Sequence, residues 1–248
     1  MKKLFFLLLF IVIAFGGCYY IYSKINWSGL FGVKKITENV DEQLGDVFWK
    51  SYSAEMVEVK NRKIVEPIQQ MVRNLCYENN IAASSINVHV VENNEINAFA
   101  MPGRHLVVHT GLIDFADHED EIAGVIAHEI AHIESGHVVK KLGKEIGLSI
   151  LMNLTLGDIG GEVVRNALST ITSTAYDRSL EKEADLKAVD YMIAAKMKPT
   201  YLASFLEKLD KQSQTPEVLQ WVSTHPDSKE RVSYINQKVK SISPKAVE

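Results

Sequence analysis

The chain has 248 residues, of which 46% are hydrophobic and 23% are charged, enough for one sizeable globular domain with its own core. The formal net charge is −4, so the composition provides no basic field that would indicate nucleic acid as a partner. The sequence has no low-complexity tract and no repeat of solenoid period, which indicates a folded domain that is soluble after its first residues.

The first 22 residues predict export and attachment to a membrane. Two lysines precede an apolar run over residues 4–15, and small residues close that run before Cys18. A charged start, an apolar stretch of roughly 7–15 residues and a small-residue end form the layout of a secretory signal. A cysteine directly after two glycines also resembles a bacterial lipoprotein signal in which Cys18 is lipidated, although Phe15 departs from that pattern.

An uncleaved signal anchor is the competing interpretation of this segment, and a buried core helix is the third. Residues 4–22 hold no charge and are just long enough to span a bilayer, which needs about 20 residues. Both leading interpretations predict an exported, membrane-anchored protein, either a lipoprotein of the bacterial periplasm or outer membrane or a single-span protein. Residues 23–40, with Gly, Asn, Ser and Lys, then form a tether.

The segment from residue 41 to residue 109 predicts helices followed by strands. Apolar positions recur at helical spacing over residues 41–80, and Pro67 predicts that a helix begins there with the proline in its first turn. Residues 86–109 change to an alternating, β-branched pattern broken by turn signals, including Pro102-Gly103. This pattern predicts a three-stranded antiparallel sheet.

Everything after Thr110 has a helical pattern. The spacing predicts helices over residues 119–136, 178–196, 201–211 and 229–239. The sparsely charged segment 143–174 is either a core helix pair or a mobile lid over a cleft. A short sheet with many helices predicts an α+β domain over residues 41–240. The single cysteine of that domain, at position 76, is expected to be a buried apolar residue without a disulfide partner.

The helix predicted over residues 119–136 carries a candidate metal site. His128 and His132 are four positions apart, about 400° around the helix, so both imidazoles leave one face and can share one ion. Glu129 is displaced by one position. It cannot be a ligand on that face, but it can reach a metal-bound water as general base. A chance occurrence of the pattern in an unrelated helix is the structural alternative.

The third ligand determines the class of site. In one large class of such enzymes a histidine follows ten positions after the first, but here Val138 occupies that position and His137 falls one residue short. His137 is therefore interpreted as a helix-end residue that is favourable near the C-terminal dipole. Glu181 and Asp185 share a face of the next charged helix. We expect Glu181 to bind the metal and Asp185 to accept the ring N–H of a ligating histidine, while Glu183 points elsewhere.

A solvated charged face is the alternative explanation of that helix. Two histidines and one glutamate leave a position open for water, which is the arrangement of a catalytic zinc site. Nitrogen and carboxylate ligands suit one Zn²⁺ per chain, with Co²⁺ or Mn²⁺ as substitutes in vitro. The predicted function is hydrolysis of peptide bonds by metal-activated water, with Glu129 as general base.

Several segments together resemble the CAAX prenyl protease/HtpX-type zinc metallopeptidases, a gluzincin family of membrane-associated proteases. They follow in order over residues 85–235 and lie at residues 97–103, 107–112, 121–132, 178–185 and 223–226, and at Arg231. The multi-spanning members carry several membrane helices, and this chain has at most one. The resemblance therefore implies a zincin-like domain of the soluble, exported, lipoprotein-like branch, and the prenyl-protein substrate class does not carry over.

The resemblance also implies roles for further residues. Asn97, Ala98 and Phe99 would lie on the strand that borders the cleft, where an extended substrate can pair by β-augmentation; core packing is the alternative for Phe99. His225 would lie near the metal, either donating to the oxyanion or filling the open zinc position and holding the enzyme latent. Arg231 would support that loop by pairing with a carboxylate such as Asp185.

The resemblance and the tether predict an endopeptidase acting on unfolded or misassembled envelope proteins, with envelope assembly machinery as a possible partner. A metal-stabilised chaperone is the second hypothesis, and the intact base Glu129 argues against it. A structural zinc domain is the third, and it requires His225 to fill the fourth position permanently. Four other histidines have no assigned role and are expected on the surface or in the core: His89, His105, His109 and His118.

Overall fold

The computed structural model describes residues 33–147, 150–151, 153, 161–212, 221–226 and 228–242. The chain divides into two compact units, Met1–Asn39 and Val40–Glu248. The predicted signal or anchor over residues 1–22 lies outside the described residues, as do residues 23–32 of the predicted tether. Residues 33–40 of that tether are helical and begin the first helix.

The described part of the chain is mostly helical, as the α+β prediction requires, with one small sheet. The helices are α1 (Val33–Ser53), α2 (Arg62–Glu78), α3 (Thr110–Phe115), α4 (Glu119–Glu134), α5 (His137–Glu145), α6 (Gly161–Ser173), α7 (Arg178–Ala194), α8 (Thr200–Lys211) and α9 (Ser228–Ile242). The strands are β1 (Asn87–Val91), β2 (Ala98–Met101) and β3 (His105–His109).

The sheet is mixed, so the prediction of an antiparallel sheet was wrong. Its strand order is β1-β3-β2, with β1 parallel to β3 and β2 antiparallel to β3. The alternating pattern predicted the strands themselves, but pairing depends on where the connections lead. Residues 92–97 carry the chain from β1 to the far side of β3 rather than folding back as a hairpin. Strand β2 therefore lies at the edge of the sheet.

The predicted turn at Pro102-Gly103 joins β2 to β3. Gly103 and Arg104 both have positive φ angles, 72° and 59°, which a tight hairpin connection requires. Gly103 also lies against Gly45 of α1, where a Cβ atom on Gly45 would lie 2.6 Å from the Cα of Gly103. Because glycine has no side chain at either position, α1 can approach the hairpin closely.

Pro67 lies inside α2 rather than in its first turn, which corrects the predicted start of that helix. The helix begins at Arg62 because Asn61 caps it, accepting a hydrogen bond from the backbone N–H of Lys63 through its side chain at 3.1 Å. Helices α4, α7, α8 and α9 begin and end within about three residues of their predicted bounds. Cys76 is buried on α2, as expected.

Helix α4 is the central element of the domain. Its sequence is apolar on nearly every side, which is typical of a helix buried all around, and every residue from Glu121 to His132 is buried. It contacts β2 and helices α2, α5, α7 and α8. A helix in this position can hold polar side chains away from bulk water.

One apolar cluster flanks α4 on each side. The larger cluster includes Ile126 and Ile130 of α4 with Phe205 of α8 and residues of α2, β1 and α9. The second joins Phe48 of α1, Phe99 of β2 and residues of α5 and α6. In the described part of segment 143–174, α6 therefore contributes to the core. None of the described helices is long and apolar enough to cross a membrane.

Close packing at Gly124 predicts a large effect of one methyl group. Gly124→Ala is expected to lower the free energy of unfolding by about 1–3 kcal/mol, because the new Cβ would lie 2.9 Å from the Cβ of Leu202 on α8. Gly143→Ala on α5 is the matched control. It meets nothing within 4 Å and should be neutral or stabilise by up to about 1 kcal/mol through helix propensity. Urea unfolding measures both, and equal midpoints would contradict the packing argument.

Candidate metal centre

Helix α4 carries two imidazoles that face each other in a fully buried position. The Nε2 atoms of His128 and His132 lie 3.0 Å apart, and both side chains are inaccessible to solvent. This is the outcome that four-residue spacing on a helix predicts, since the two side chains leave the same face one turn apart. Glu129, between them, is also fully buried.

Two further groups complete the cluster from other parts of the chain. Glu181, in the first turn of α7, lies 3.2 Å from Nε2 of His132 through Oε1, and the same oxygen lies 3.0 Å from Nδ1 of His225. One potential ligand atom from each of the four residues falls within 4.8 Å of all the others. The structure thus brings the predicted ligands together and adds His225 to them.

His225 is held in this position by the residues just before it. Its backbone N–H donates to the carbonyl of Trp221 at 2.8 Å, and its ring stacks on the indole of Trp221 with centroids 4.4 Å apart. Nδ1 of His225 lies 3.3 Å from Nε2 of His128, while Nε2 lies 3.5 Å from Oε1 of Glu129. The ring therefore occupies space between the ligand pair and the candidate base.

Asp185 lies one turn beyond Glu181 on α7 and contacts the far side of His128. Its Oδ1 is 2.8 Å from Nδ1 of His128, and both side chains are fully buried. A carboxylate at this distance accepts the Nδ1 proton, so the Nε2 lone pair of His128 faces the cluster. The nearest α4 partner of Asp185 is thus His128 and that of Glu181 is His132, although Oε2 of Glu181 also lies 3.7 Å from Nε2 of His128.

His137 does not stabilise the C-terminus of α4, so that interpretation was wrong. It is the first residue of α5, it is fully buried, and its Nδ1 lies 3.0 Å from Nδ1 of His132. Glu183 also takes part, since its Oε2 lies 3.5 Å from Nε2 of His137. The backbone reversal at Gly136 creates this contact, and spacing along the sequence gave no signal for it.

Arg231 of α9 provides the positive charge of the site. Its guanidinium donates to both oxygens of Asp185 at 2.8 Å each, and it lies 2.8 Å from Oε2 of Glu181. It also donates to the carbonyl of His225 at 3.2 Å, and Tyr234 donates a hydrogen bond to Asp185 at 2.6 Å. One buried cation therefore contacts both α7 carboxylates and the backbone of the His225 loop.

The surroundings separate the proton affinities of the two glutamates. Burial, reinforced by the nearby charge of Glu181, raises the pKa of Glu129 well above its usual range. Burial would also raise the pKa of Glu181, but His225 and Arg231 outweigh it and hold that pKa well below the usual range. Glu181 is therefore the glutamate that keeps its negative charge, and Glu129 is the one with the greater affinity for a proton.

The donor set fits a divalent metal ion. Imidazole nitrogen and carboxylate oxygen are the ligands that zinc takes in catalytic sites. Both α4 histidines have an orienting partner on Nδ1, which leaves each Nε2 available to a metal. Oε1 of Glu129 is buried without a hydrogen-bond partner in the described structure, 3.5 Å from Nε2 of His225. Such an orphaned atom beside the cluster fits a partner bound at its centre.

The predicted substrate strand borders this cluster. Asn97 precedes β2 and is buried with its Oδ1 atom unpaired in the described structure, and Ala98 is buried on the strand. Phe99 packs edge-on against Tyr52 and His109, so its side chain belongs to the core. The backbone N–H of Ala100 donates to Oε2 of Glu129 at 2.9 Å. That main-chain contact has no signature in the sequence.

Two further residues near the cluster were not predicted. The ring of Tyr176, just before α7, lies 4.1 Å from the ring of His132 between centroids. Lys141 is buried on α5, 4.1 Å above the Tyr176 ring, and donates to the carbonyls of Ile171 and Thr174 at 3.0 and 2.5 Å. Besides His137, which contacts His132, four histidines lie outside the cluster: His89, His105, His109 and His118.

Comparisons with known proteins agree with this geometry. A family model described as Peptidase family M48 matches residues 61–239. The Beta-barrel assembly-enhancing protease of Escherichia coli (strain K12) is 24% identical over 222 residues, covering 83% of this chain and 45% of that protein. Metalloendopeptidase OMA1, mitochondrial, of Homo sapiens is 27% identical over 243 residues, covering 87% of this chain and 46% of that protein.

A shorter relative matches as well. Metalloprotease LoiP of Escherichia coli (strain K12) is 28% identical over 167 residues, covering 65% of this chain and 66% of that protein. The chain spans about half the length of the first two curated relatives. These matches confirm the predicted resemblance to gluzincin-type metallopeptidases and the prediction that the chain is a metallopeptidase.

Removing the buried cation should destabilise the domain strongly. Arg231→Met is expected to lower the free energy of unfolding by about 3–5 kcal/mol, because Asp185 and Glu181 would remain buried without a counter-charge. Urea unfolding in the presence of a chelator measures this effect without a contribution from metal binding. The control is Arg62→Met, whose partner Glu66 lies on the surface and whose side chain is 85% exposed. That change should cost at most about 1 kcal/mol, and equal losses would contradict the assignment.

Proposed function

This chain belongs to peptidase family M48, and on that premise we propose that it is a zinc-dependent endopeptidase. The observation that carries the proposal is the convergence of His128, His132 and Glu181 on one buried point, with Glu129 beside them. Three ligands of this kind leave one position for water or substrate, whereas a structural zinc site has four protein ligands.

The residues of this chain would divide the chemistry between them. His128, His132 and Glu181 would hold one zinc ion, and Asp185 and Arg231 would hold the ligands in place. Zinc, when bound, supplies a Lewis acid that acidifies water and polarises a peptide carbonyl. The choice of zinc over another divalent ion rests on the nitrogen-rich donor set.

Glu129 is the proposed general base. Its Oε2 is held by the N–H of Ala100, and its Oε1 has no hydrogen-bond partner in the described structure. The hydrogen bond from Ala100 fixes the carboxylate. Oε1 is then available to take a proton from water and return it to the leaving amine. The raised pKa that burial produces suits the first of these steps, because a base with greater proton affinity accepts a proton more readily.

Strand β2 is the proposed binding edge for an extended substrate. Backbone groups on a sheet edge can pair with a peptide, and the unpaired Oδ1 of Asn97 can accept a hydrogen bond from a substrate amide. In this conformation Ala98 and Ala100 are fully buried, so the edge is closed to a peptide. Substrate binding therefore requires a rearrangement that exposes β2.

His225 is the proposed latency residue. Of the two roles that the resemblance implies, filling the fourth position agrees better with the contacts, because its Nδ1 faces Glu181 and His128 at 3.0 and 3.3 Å. A nitrogen among the ligand atoms competes with water for the metal. A residue that donates to the oxyanion must lie outside the set of metal ligands. His225 can take that role only after its ring moves away from Glu181 and His128.

The natural setting of the enzyme is also a proposal. One relative is named for enhancing β-barrel assembly and another is mitochondrial. We propose that this chain acts on unfolded or misassembled envelope proteins, near envelope assembly machinery, and that lipidation of Cys18 or a single N-terminal span attaches it to a membrane. The predicted division into residues 1–22, 23–40 and 41–240 underlies that proposal.

Loss of the base should abolish proteolysis but not metal binding. Glu129→Gln is expected to lower the rate of casein cleavage by the zinc-loaded full chain about 10²–10⁴-fold, because an amide cannot accept the proton. Zinc content, measured by atomic absorption, should stay at one ion per chain. Glu119→Gln is the control, since Glu119 is exposed in the first turn of the same helix. Cleavage by Glu129→Gln at the wild-type rate would refute the proposed mechanism.

Removing the imidazole of His225 distinguishes latency from the alternatives. If the closed arrangement holds nine molecules in ten, His225→Ala should cleave casein about tenfold faster. Slower cleavage with zinc retained would favour an oxyanion donor instead, and an unchanged rate would contradict both roles. Loss of zinc and of the folded circular dichroism spectrum together would favour a structural zinc domain, for which the four-residue cluster is the supporting observation.

A further inference from the structure

His137 is a buried histidine that the chemistry described so far does not use. We infer that it is a positioning residue that fixes the tautomer and orientation of His132. It is fully buried at the start of α5, and its Nδ1 lies 3.0 Å from Nδ1 of His132. It is absent from the set of four residues whose ligand atoms converge, so it acts on the metal site through His132 alone.

The inference begins from the needs of a ligating imidazole. A neutral histidine that binds a metal through Nε2 carries its proton on Nδ1, and a buried N–H of this kind needs an acceptor. His128 has Asp185 in that role, at 2.8 Å. The corresponding atom of His132 faces Nδ1 of His137, so His137 is the acceptor.

The direction of this hydrogen bond determines the protonation of His137. Because Nδ1 of His137 accepts a proton from His132, it must present a lone pair, and the ring proton of His137 must lie on Nε2. Nε2 of His137 lies 3.5 Å from Oε2 of Glu183, which can receive that proton in a hydrogen bond after a small approach. In the described structure Nε2 of His137 makes no hydrogen bond at this distance, and Glu183 is the acceptor nearest to it among the contacts of the site.

Glu183 is connected back to α4. Oε1 of Glu183 accepts a hydrogen bond from Lys187 at 2.7 Å, and Lys187 also donates to the hydroxyl of Ser135 at 2.8 Å. Ser135 is the residue that caps the C-terminus of α4. The contacts therefore close a loop between α4, which carries His132, and α7, which carries Glu181.

The turn at Gly136 explains how His137 reaches His132. Gly136, with a φ of 62°, ends α4 in the left-handed conformation that favours glycine and reverses the chain. The next residue, His137, then lies beside His132 although it follows it by five positions. In a continuous helix, residues five apart point away from each other, so the reversal is required for the contact.

The inference rests on the proposed zinc site, and its test separates the two. The full chain is loaded with zinc, and the zinc dissociation constant is measured by competition with a chromophoric chelator. His137→Phe keeps the volume but loses the acceptor, and should weaken zinc binding about 10–100-fold. His137→Asn restores an acceptor oxygen and should recover most of that loss. His89→Phe is the control on the sheet and should bind zinc as the wild type does.

The outcomes are distinct. If the wild type binds no zinc, the proposed function fails. If the wild type binds one zinc ion and a folded His137→Phe variant binds it equally well, the inference about His137 alone is overturned. Failure to rescue by a folded His137→Asn variant would also overturn it, since the acceptor is the proposed cause.

A measurement on the unchanged chain avoids any question of folding. Nitrogen-15 spectra of the zinc-loaded, histidine-labelled protein report which ring nitrogen of each histidine carries a proton. We expect His132 to carry it on Nδ1 and His137 to carry it on Nε2. A proton on Nδ1 of His137 would overturn the inference, because both nitrogens at the 3.0 Å contact would then be donors.

Discussion

The buried guanidinium of Arg231 is the interaction on which the site depends. Two α7 carboxylates lie in a region closed to water, where an unpaired charge costs several kcal/mol. Arg231 contacts both carboxylates and the carbonyl of His225, so one side chain of α9 joins α7 to the loop that carries His225. Burial lowers the pKa of both α4 imidazoles, and the charge of Arg231 adds to that effect.

The position of α4 explains how a cluster of histidines and carboxylates can lie in the core. Apolar clusters lie on both of its sides, so a face bearing two histidines and a glutamate is isolated from solvent by packing. Burial favours the neutral form of both glutamates. The charge of Glu181 raises the pKa of Glu129 further, whereas His225 and Arg231 hold the pKa of Glu181 well below its usual range. The two glutamates thus differ through their neighbours and not through their chemical type.

The predictable part of this site is the part that local spacing controls. Helix periodicity predicts that His128 and His132 share one face of a helix, and it predicts the same of Glu181 and Asp185. It does not determine which residues of other helices these carboxylates contact. Strand pairing was not predictable, because the parallel neighbour of β3 depends on a connection that crosses the sheet. The contact of His137 with His132 depends on one residue with a positive φ, and the N–H of Ala100 has no side-chain signal at all.

The closed edge of β2 has a structural cause that reaches the metal centre. Phe99 and Ala100 of β2 belong to the same apolar cluster as Ile171 of α6, so α6 takes part in burying the strand that a substrate would use. Lys141 donates to carbonyls at the end of α6, and the N–H of Tyr176 donates to the carbonyl of Thr224, beside His225. This hydrogen-bonded path joins α6 to the residue beside His225. If β2 is the substrate edge and His225 is the latency residue, as proposed above, a movement of α6 that exposes the strand would also act on the His225 loop through these bonds.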